Sequence, residues 1–298
     1  MGNLSIIVPA YREPFLNKTL ESLLENTVGD FEIIPVFNGY VPEKPLVEDS
    51  RINPIFLEGS GMRLAINAGL SAATGDYIMK ADAHCLFAPG FNKVLMENCE
   101  PNWLVIPRRY SLDLDNWCID KTRPPRDYHY LSFPGVMDIN YGYSMQCVDW
   151  YHRTKERKEF NVDDTMTFQG SLWLADRKHF MKTVGLLDAK SYGEFGLEYE
   201  EIGLKYWLSG GANKVIKNTW YAHLSKRKKH YMDRLFSRKY KKGEKSVGKR
   251  NWSALHWIND EEPNMTRKFE WLIDKFSPIP GWGNGWKKDW EIIQREKM

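Results

Sequence analysis

The chain has 298 residues, of which 42% are hydrophobic and 27% charged, with a formal net charge of +3; this is ordinary for a soluble globular protein of one large or two modest domains. Its four cysteines, Cys85, Cys99, Cys118 and Cys147, form no CxxC pair, which argues against a structural zinc site and a disulfide framework and fits reduced thiols in a cytoplasmic protein. No basic, apolar leader opens the chain and no apolar run approaches the roughly 18 residues of a membrane span, so no membrane span is expected.

Leu4 to Pro9 (LSIIVP) is a short, β-branched apolar run of the kind found in buried parallel strands. Phe15, Leu16, Leu20, Leu23 and Leu24 then recur at helical spacing between Pro14 and Glu25. Phe31 to Phe37 is a second strand closed by Asn38-Gly39, and Ile52 to Leu57 a third, followed by a helix from about Gly61 to Ala73. Gly75-Asp76 turns the chain into a fourth strand, Tyr77 to Ala81, which ends at Asp82. This alternation predicts a doubly wound α/β sheet. Trp103 to Tyr110 reads as a further strand, and the polar, aromatic stretch to about Phe160 shows no period. Thr165 to Ala175 reads as a strand, Arg177 to Val184 as a helix, Gly185 to Gly196 as a loop, Leu197 to Leu208 as a helix stopped by Gly210-Gly211, and Lys214 to Ala222 as the last strand. The tail from Asn251 is rich in tryptophan and partly helical.

Open α/β sheets bind ligands at the carboxyl ends of their strands. Tyr11 and Glu13 after the first strand, Asn38 after the second, and Asp82 and His84 after the fourth all fall there. Asp82-Ala83-His84 offers a carboxylate and an imidazole two residues apart, a set that suits manganese better than magnesium or calcium, which prefer oxygen ligands throughout. A departing diphosphate needs such a cation, or positive side chains, to neutralise its charge.

Several ordered blocks resemble the GT-A glycosyltransferases of family 2, with a motif pattern similar to that of the polypeptide GalNAc-transferases. They are IIVPAYRE, FEIIPVFNGY, GMRLAINAGLSAATGDYIMKADAHCLF, DDTMTFQGSLWLADRKHFMKTVGLLDA and EFGLEYEEIGLKYWLSGG, and together they span roughly residues 4 to 225. The resemblance implies a GT-A fold (Rossmann-like, doubly wound mixed sheet), a nucleotide-sugar donor, a UDP-sugar above all, and Mn2+ (or Mg2+) as cofactor. It aligns Asp82 and His84 with the metal-binding pair in its DxH form, and His223 with a third, histidine ligand. Tyr11, Glu13, Asn38, Arg63, Asp82, Gln169 and Gly170 then line the donor: Glu13 matches an acid near the ribose, Asn38 stands where an Asp usually faces the uracil, and Gly170 allows close approach of backbone to sugar. Arg63 is either near the diphosphate or a charge on a helix surface.

Inverting members carry Glu-Asp at the start of the last core helix, with Asp as base; this chain has Glu198-Tyr199. A phenol with an ordinary pKa of about 10 is a poor base near neutrality. The resemblance thus implies retention of anomeric configuration, with Glu198 on donor or acceptor, while Glu201 (or Glu200) on the same helix is the alternative base.

Between Leu224 and Arg250 lie twelve Lys or Arg and two acids, a local net of +10 that leaves −7 on the remainder. That tract is a solvated loop, a lid over the diphosphate, or a docking surface for a polyanionic acceptor, with Lys226, Arg227, Lys228, Lys229 and Trp252 as acceptor-contact candidates. Six of the 12 Trp lie beyond residue 251 and serve either to pack the tail or to stack on sugar or base. The expected organisation is a catalytic domain over 1–225 and a basic, Trp-rich extension over 226–298. The acceptor is either a nucleic acid, hydroxymethylated-pyrimidine DNA of the viral kind in particular (placing the enzyme in a host cytoplasm), or a glycan. The competing class is a non-catalytic scaffold that binds sugar or nucleic acid.

Overall fold

The computed structural model describes residues 2–59, 61–135, 143–224 and 245–297. Its first half runs β1 (Leu4–Ala10), α1 (Leu16–Asn26), β2 (Phe31–Asn38), β3 (Ile55–Leu57), α2 (Met62–Ala72), β4 (Tyr77–Ala81), β5 (Cys85–Phe87), α3 (Phe91–Glu97) and β6 (Trp103–Asp113). A small antiparallel pair, β8 (His129–Leu131) and β9 (Cys147–Asp149), follows the two-residue β7 (Cys118–Ile119). Then come α4 (Tyr151–Glu156), β10 (Val162–Asp164), β11 (Leu172–Asp176), α5 (Arg177–Thr183), α6 (Ala189–Tyr192), α7 (Glu198–Leu208) and β12 (Ala212–His223). The tail carries α8 (Lys245–Ile258), α9 (Phe269–Phe276) and α10 (Trp286–Lys297).

The main sheet has the order β10-β12-β6-β11-β4-β1-β2-β3, with β5 added to β12 and β7 to β6. β3, β2, β1 and β4 are mutually parallel, whereas β11 enters antiparallel between β4 and β6, so the sheet is mixed. β1 shows why both faces are covered. Side chains alternate across a strand, and Ile6 and Val8 join one apolar cluster with Leu20, Leu23 and Phe91 of α1 and α3, while Ile7 joins another with Ile66 of α2 and Leu204 of α7. Gly69 of α2 sits so close to β1 that a Cβ there would lie 2.4 Å from Ile7 Cγ2; only a glycine lets this helix settle so near the sheet.

The tail is built into the second cluster. Trp257, Phe269, Leu272, Trp286, Trp290 and Ile293 are buried together with Leu104, Trp173 and Leu204. Trp282 donates its indole N–H to the Leu131 carbonyl at 2.7 Å and Trp290 to Asn259 Oδ1 at 3.0 Å, which satisfies the one polar atom each ring must bury. Among the described residues no helix is long and apolar enough to cross a membrane.

Some sequence expectations are corrected. The strand expected from Ile52 begins at Ile55, because Ile52 makes only an isolated bridge to Ile33. The strand expected from Thr165 begins at Leu172; Thr165 and Thr167 spend their hydrogen bonds on Asn213 and His129 instead. β5 and α3 lie between Asp82 and Trp103, where no element was expected, the β8–β9 pair lies in the stretch that showed no period, and the loop at Gly185 to Gly196 contains the short α6.

Candidate metal centre and its surroundings

Asp82 follows β4 directly, and its N–H donates to the Ser171 carbonyl at 2.8 Å, just before β11 starts. His223 ends β12. What unites them is β5: it pairs antiparallel with β12 in a register that sets His223 opposite Cys85, so His84 lies beside His223. The Leu224 N–H then donates to the His84 carbonyl at 3.2 Å. Asp82, His84 and His223 bring one ligand atom each to within 4.8 Å of one another.

Asp82 Oδ2 lies 3.0 Å from His223 Nε2 and 3.9 Å from His84 Nε2, and the two imidazole centroids are 4.7 Å apart. His84 Nδ1 is 3.0 Å from Glu13 Oε2. A carboxylate accepts, so the ring proton sits on Nδ1 and the Nε2 lone pair is exposed to the cluster. That Nε2 is buried and has no hydrogen-bond partner among the described residues. A bare nitrogen lone pair, a carboxylate and a second imidazole around one space fit a divalent transition cation; a carboxylate behind the ligating imidazole is the usual support of such a ring.

Sequence reading missed two positive groups here. Lys80, two residues before Asp82 and on the same side of β4, pairs its ammonium with Asp82 Oδ1 and with the Gly170 carbonyl. Its signal was a lysine inside an otherwise apolar strand, spaced by the strand period from the aspartate. Arg109 of β6 donates from Nη2 to His223 Nδ1 at 3.0 Å and from Nη1 to Gln169 Oε1; nothing local marked it. Burial by itself would raise the Asp82 carboxyl, but Lys80, the His223 hydrogen bond and His84 hold it well below the usual carboxylate range. Burial, reinforced by Arg109, pushes the His223 imidazole down to about 3, so it is neutral at physiological pH.

The other candidates divide into three groups. Gln169 and Gly170 reach the cluster through Arg109 and Lys80, and Glu198, at the start of α7, places Oε2 3.9 Å from where a Gly170 Cβ would stand. Tyr11, Glu13 and Asn38 gather at the ends of β1 and β2. There Tyr11 meets Tyr40 edge-on with centroids 5.8 Å apart, and Asn38 Oδ1 accepts the Gly61 N–H at 2.7 Å. The third group lies behind. Arg63 and Glu201 are paired and both fully buried; Arg63 also donates to the Gly196 carbonyl at 3.1 Å and lies 4.6 Å over the Tyr192 ring, while Glu201 holds Lys205 at 3.2 Å.

The surface-charge reading of Arg63 is corrected, since the side chain is fully buried, and the Glu201 carboxylate faces the internal cations Arg63 and Lys205. Trp252 is half-buried: its ring stacks on His256 at 4.7 Å and meets Tyr192 at 5.2 Å. Tyr199 donates its hydroxyl to the Met145 carbonyl at 3.3 Å. Lys226, Arg227, Lys228 and Lys229 lie outside the described residues.

The model of the family Glycosyl transferase family 2 matches residues 5–182. Over 109 residues the chain is 37% identical to the uncharacterized glycosyltransferase EpsJ of Bacillus subtilis (strain 168), covering 34% of this chain and 32% of that protein. Over 285 residues it is 26% identical to the uncharacterized glycosyltransferase YwdF of the same strain, covering 89% and 92%. A crystal structure of GalNAc-T7 with UDP, GalNAc and Mn2+ superposes with a TM-score of 0.63 at 15% identity, over 93% of this chain and 57% of that one. The chain thus spans about a third of EpsJ and little more than half of GalNAc-T7, and the mixed α/β sheet is that of the GT-A fold.

Proposed function

The chain belongs to glycosyl transferase family 2, and on that premise we propose that it moves a sugar from a nucleotide-sugar, a UDP-sugar first, to an acceptor hydroxyl with the help of Mn2+ (or Mg2+). The observation that carries this is the Asp82–His84–His223 cluster at the ends of β4 and β12, with the unpartnered His84 Nε2 turned into it. The fold neighbour GalNAc-T7 holds UDP, GalNAc and Mn2+, in keeping with that donor and cation.

A bound cation would supply Lewis-acid neutralisation of the donor diphosphate. The chain's own groups do the rest. Lys80 and Arg109 add positive charge behind Asp82 and His223, in a buried setting where it acts strongly on a nearby anion. Gly170 offers a bare backbone beside Lys80, and Glu198 stands next to it to contact the donor sugar or the acceptor. Tyr11, Glu13 and Asn38 form the flank for ribose and base.

Retention of anomeric configuration is the stereochemistry we assign. Tyr199 holds the place of the inverting base and spends its proton on a backbone carbonyl. Of the acids in the first turn of α7, Glu201 is locked to Arg63 and Glu200 accepts from Ser253 Oγ at 2.5 Å. Glu198 is thus the acid beside Gly170, and the leaving phosphate oxygen would take the acceptor proton. A glycan is the first acceptor reading; the net +10 between Leu224 and Arg250 supports a polyanionic acceptor, hydroxymethylated-pyrimidine DNA among them, as the second. Residues 226–298 would then join acceptor docking to the packing of α7.

The test is release of nucleoside diphosphate from UDP- and GDP-sugars with and without Mn2+. Absence of metal-stimulated turnover with any donor would sink the enzyme reading and leave a binding scaffold. Incubation with hydroxymethylcytosine or hydroxymethyluracil DNA, followed by mass spectrometry of nucleosides, decides the acceptor; an unmodified product together with salt-insensitive association removes the nucleic-acid reading.

A further inference from the structure

We propose that Glu13 and Arg109 are positioning residues that set the two imidazoles of the cluster in opposite tautomers, so that Asp82 and His84 meet the cation first and His223 joins only when Arg109 releases it. The inference rests on the reading of Asp82, His84 and His223 as a cation site.

A guanidinium can only donate hydrogen bonds. Arg109 Nη2, 3.0 Å from His223 Nδ1, therefore meets a lone pair there, and the ring proton resides on Nε2. From Nε2 it is donated to Asp82 Oδ2 at 3.0 Å. A nitrogen that carries a proton has no lone pair for a cation, so His223 as it stands is closed to ligation through the atom that faces the cluster. At His84 the logic is reversed. Glu13 Oε2 at 3.0 Å holds the proton on Nδ1, and the opposite nitrogen is bare, buried and unpartnered among the described residues. Solvent access does not explain the difference, because the two side chains are 10% and 9% exposed.

For His223 to ligate through Nε2, that proton must leave and another must be taken up at Nδ1, with no net change in protons. Arg109 Nη2 must then withdraw, since two donors would otherwise face each other. The guanidinium has somewhere to stay: Nη1 remains tethered to Gln169 Oε1. Among the described residues Arg109 Nε is buried without a hydrogen-bond partner, so no second bond of its own holds the guanidinium against that shift. Cation entry is thereby coupled to movement of a positive side chain that borders both Gln169 and the third ligand.

Two measurements on the full-length protein test this: Mn2+ titration followed by the EPR signal of the free ion, and 15N spectra of the imidazoles in the metal-free, histidine-labelled protein. Expected are the Nε2–H tautomer at His223 and the Nδ1–H tautomer at His84 before metal is added. Glu13→Ala should weaken Mn2+ binding by roughly tenfold or more, the usual consequence of removing the group behind a ligating histidine. Arg109→Met should tighten it by roughly tenfold, since one charge-assisted hydrogen bond no longer has to be broken.

Removing a positive charge would tighten binding by itself, so the decisive comparison is Arg109→Met in a His223→Ala background. Under the proposal the gain vanishes there; a gain that persists means simple repulsion and overturns it. An Nδ1–H tautomer at His223 in the metal-free wild type overturns it with no variant involved. A wild type that binds no Mn2+ overturns the cation reading, and the loading order with it. Binding that follows the wrong tautomer or the wrong cycle overturns the loading order alone.

Discussion

Two glutamates on α7, three residues apart, are assigned opposite duties, and substituting each by glutamine separates them. Glu201 has a fully buried side chain paired with the fully buried Arg63, with Lys205 at 3.2 Å. Glu201→Gln keeps the shape and leaves a buried guanidinium without its counter-charge. Breaking a buried pair from one side costs about 3–5 kcal/mol. The lower end applies here, because Arg63 keeps the Gly196 carbonyl and the Tyr192 ring. At roughly 2 °C per kcal/mol for a chain of this size, the melting temperature should fall by about 6 °C. Among the described residues Glu198 makes no ion pair, and it lies beside Gly170. Glu198→Gln should change stability by under about 1 kcal/mol and lower turnover by roughly a hundredfold or more. Calorimetry and Mn2+-stimulated donor turnover on both variants give four numbers. A Glu201→Gln protein with wild-type melting and lost turnover would refute the reasoning, since Glu201 would then be the working carboxylate.

Three further outcomes are expected. His223, held down at about 3, stays neutral in the folded protein, and His129 is lowered in the same direction, mainly by burial. Below the ordinary value of 6.5 the unfolded chain takes up protons that the folded chain refuses. The metal-free protein should therefore lose up to ~1.4 kcal/mol per pH unit on account of His223 as pH falls from 6.5 towards 4, with His129 adding to the loss; urea midpoints at pH 7, 6 and 5 measure it, and a flat profile contradicts it. Gly69→Ala drives a methyl to 2.4 Å from Ile7 Cγ2 and should destabilise by about 1–3 kcal/mol through overpacking of α2 on β1, read from the same titration. Trp286→Ala should cost about 3–5 kcal/mol if the tail is part of the core, whereas a tail that merely docks would unfold in a separate, earlier transition.

Much of this was legible in the chain. Alternating β-branched residues in LSIIVP and the helical spacing of Leu16, Leu20 and Leu23 specify elements through neighbours a few residues away, and those elements form where expected. Asp82 and His84 announced themselves as polar residues at a strand end, and the family resemblance supplied His223. The tail tryptophans read first as packing, with a stacking platform as the alternative; burial of Trp257, Trp282, Trp286 and Trp290 favours packing. The fold alone decided how the site is wired. Asp82 and His223 are 141 positions apart and meet because the three residues of β5, too few to show a period, pair with β12 in one particular register. Which of Glu198 and Glu201 meets Arg63 depends on where α2 settles against α7, not on the helix they share. Arg109 carries no local mark at all, since its role depends on His223, 114 residues away. Periodicity is a short-range property of a sequence, whereas the tautomer of a buried imidazole is fixed by whichever side chain the tertiary structure sets against it.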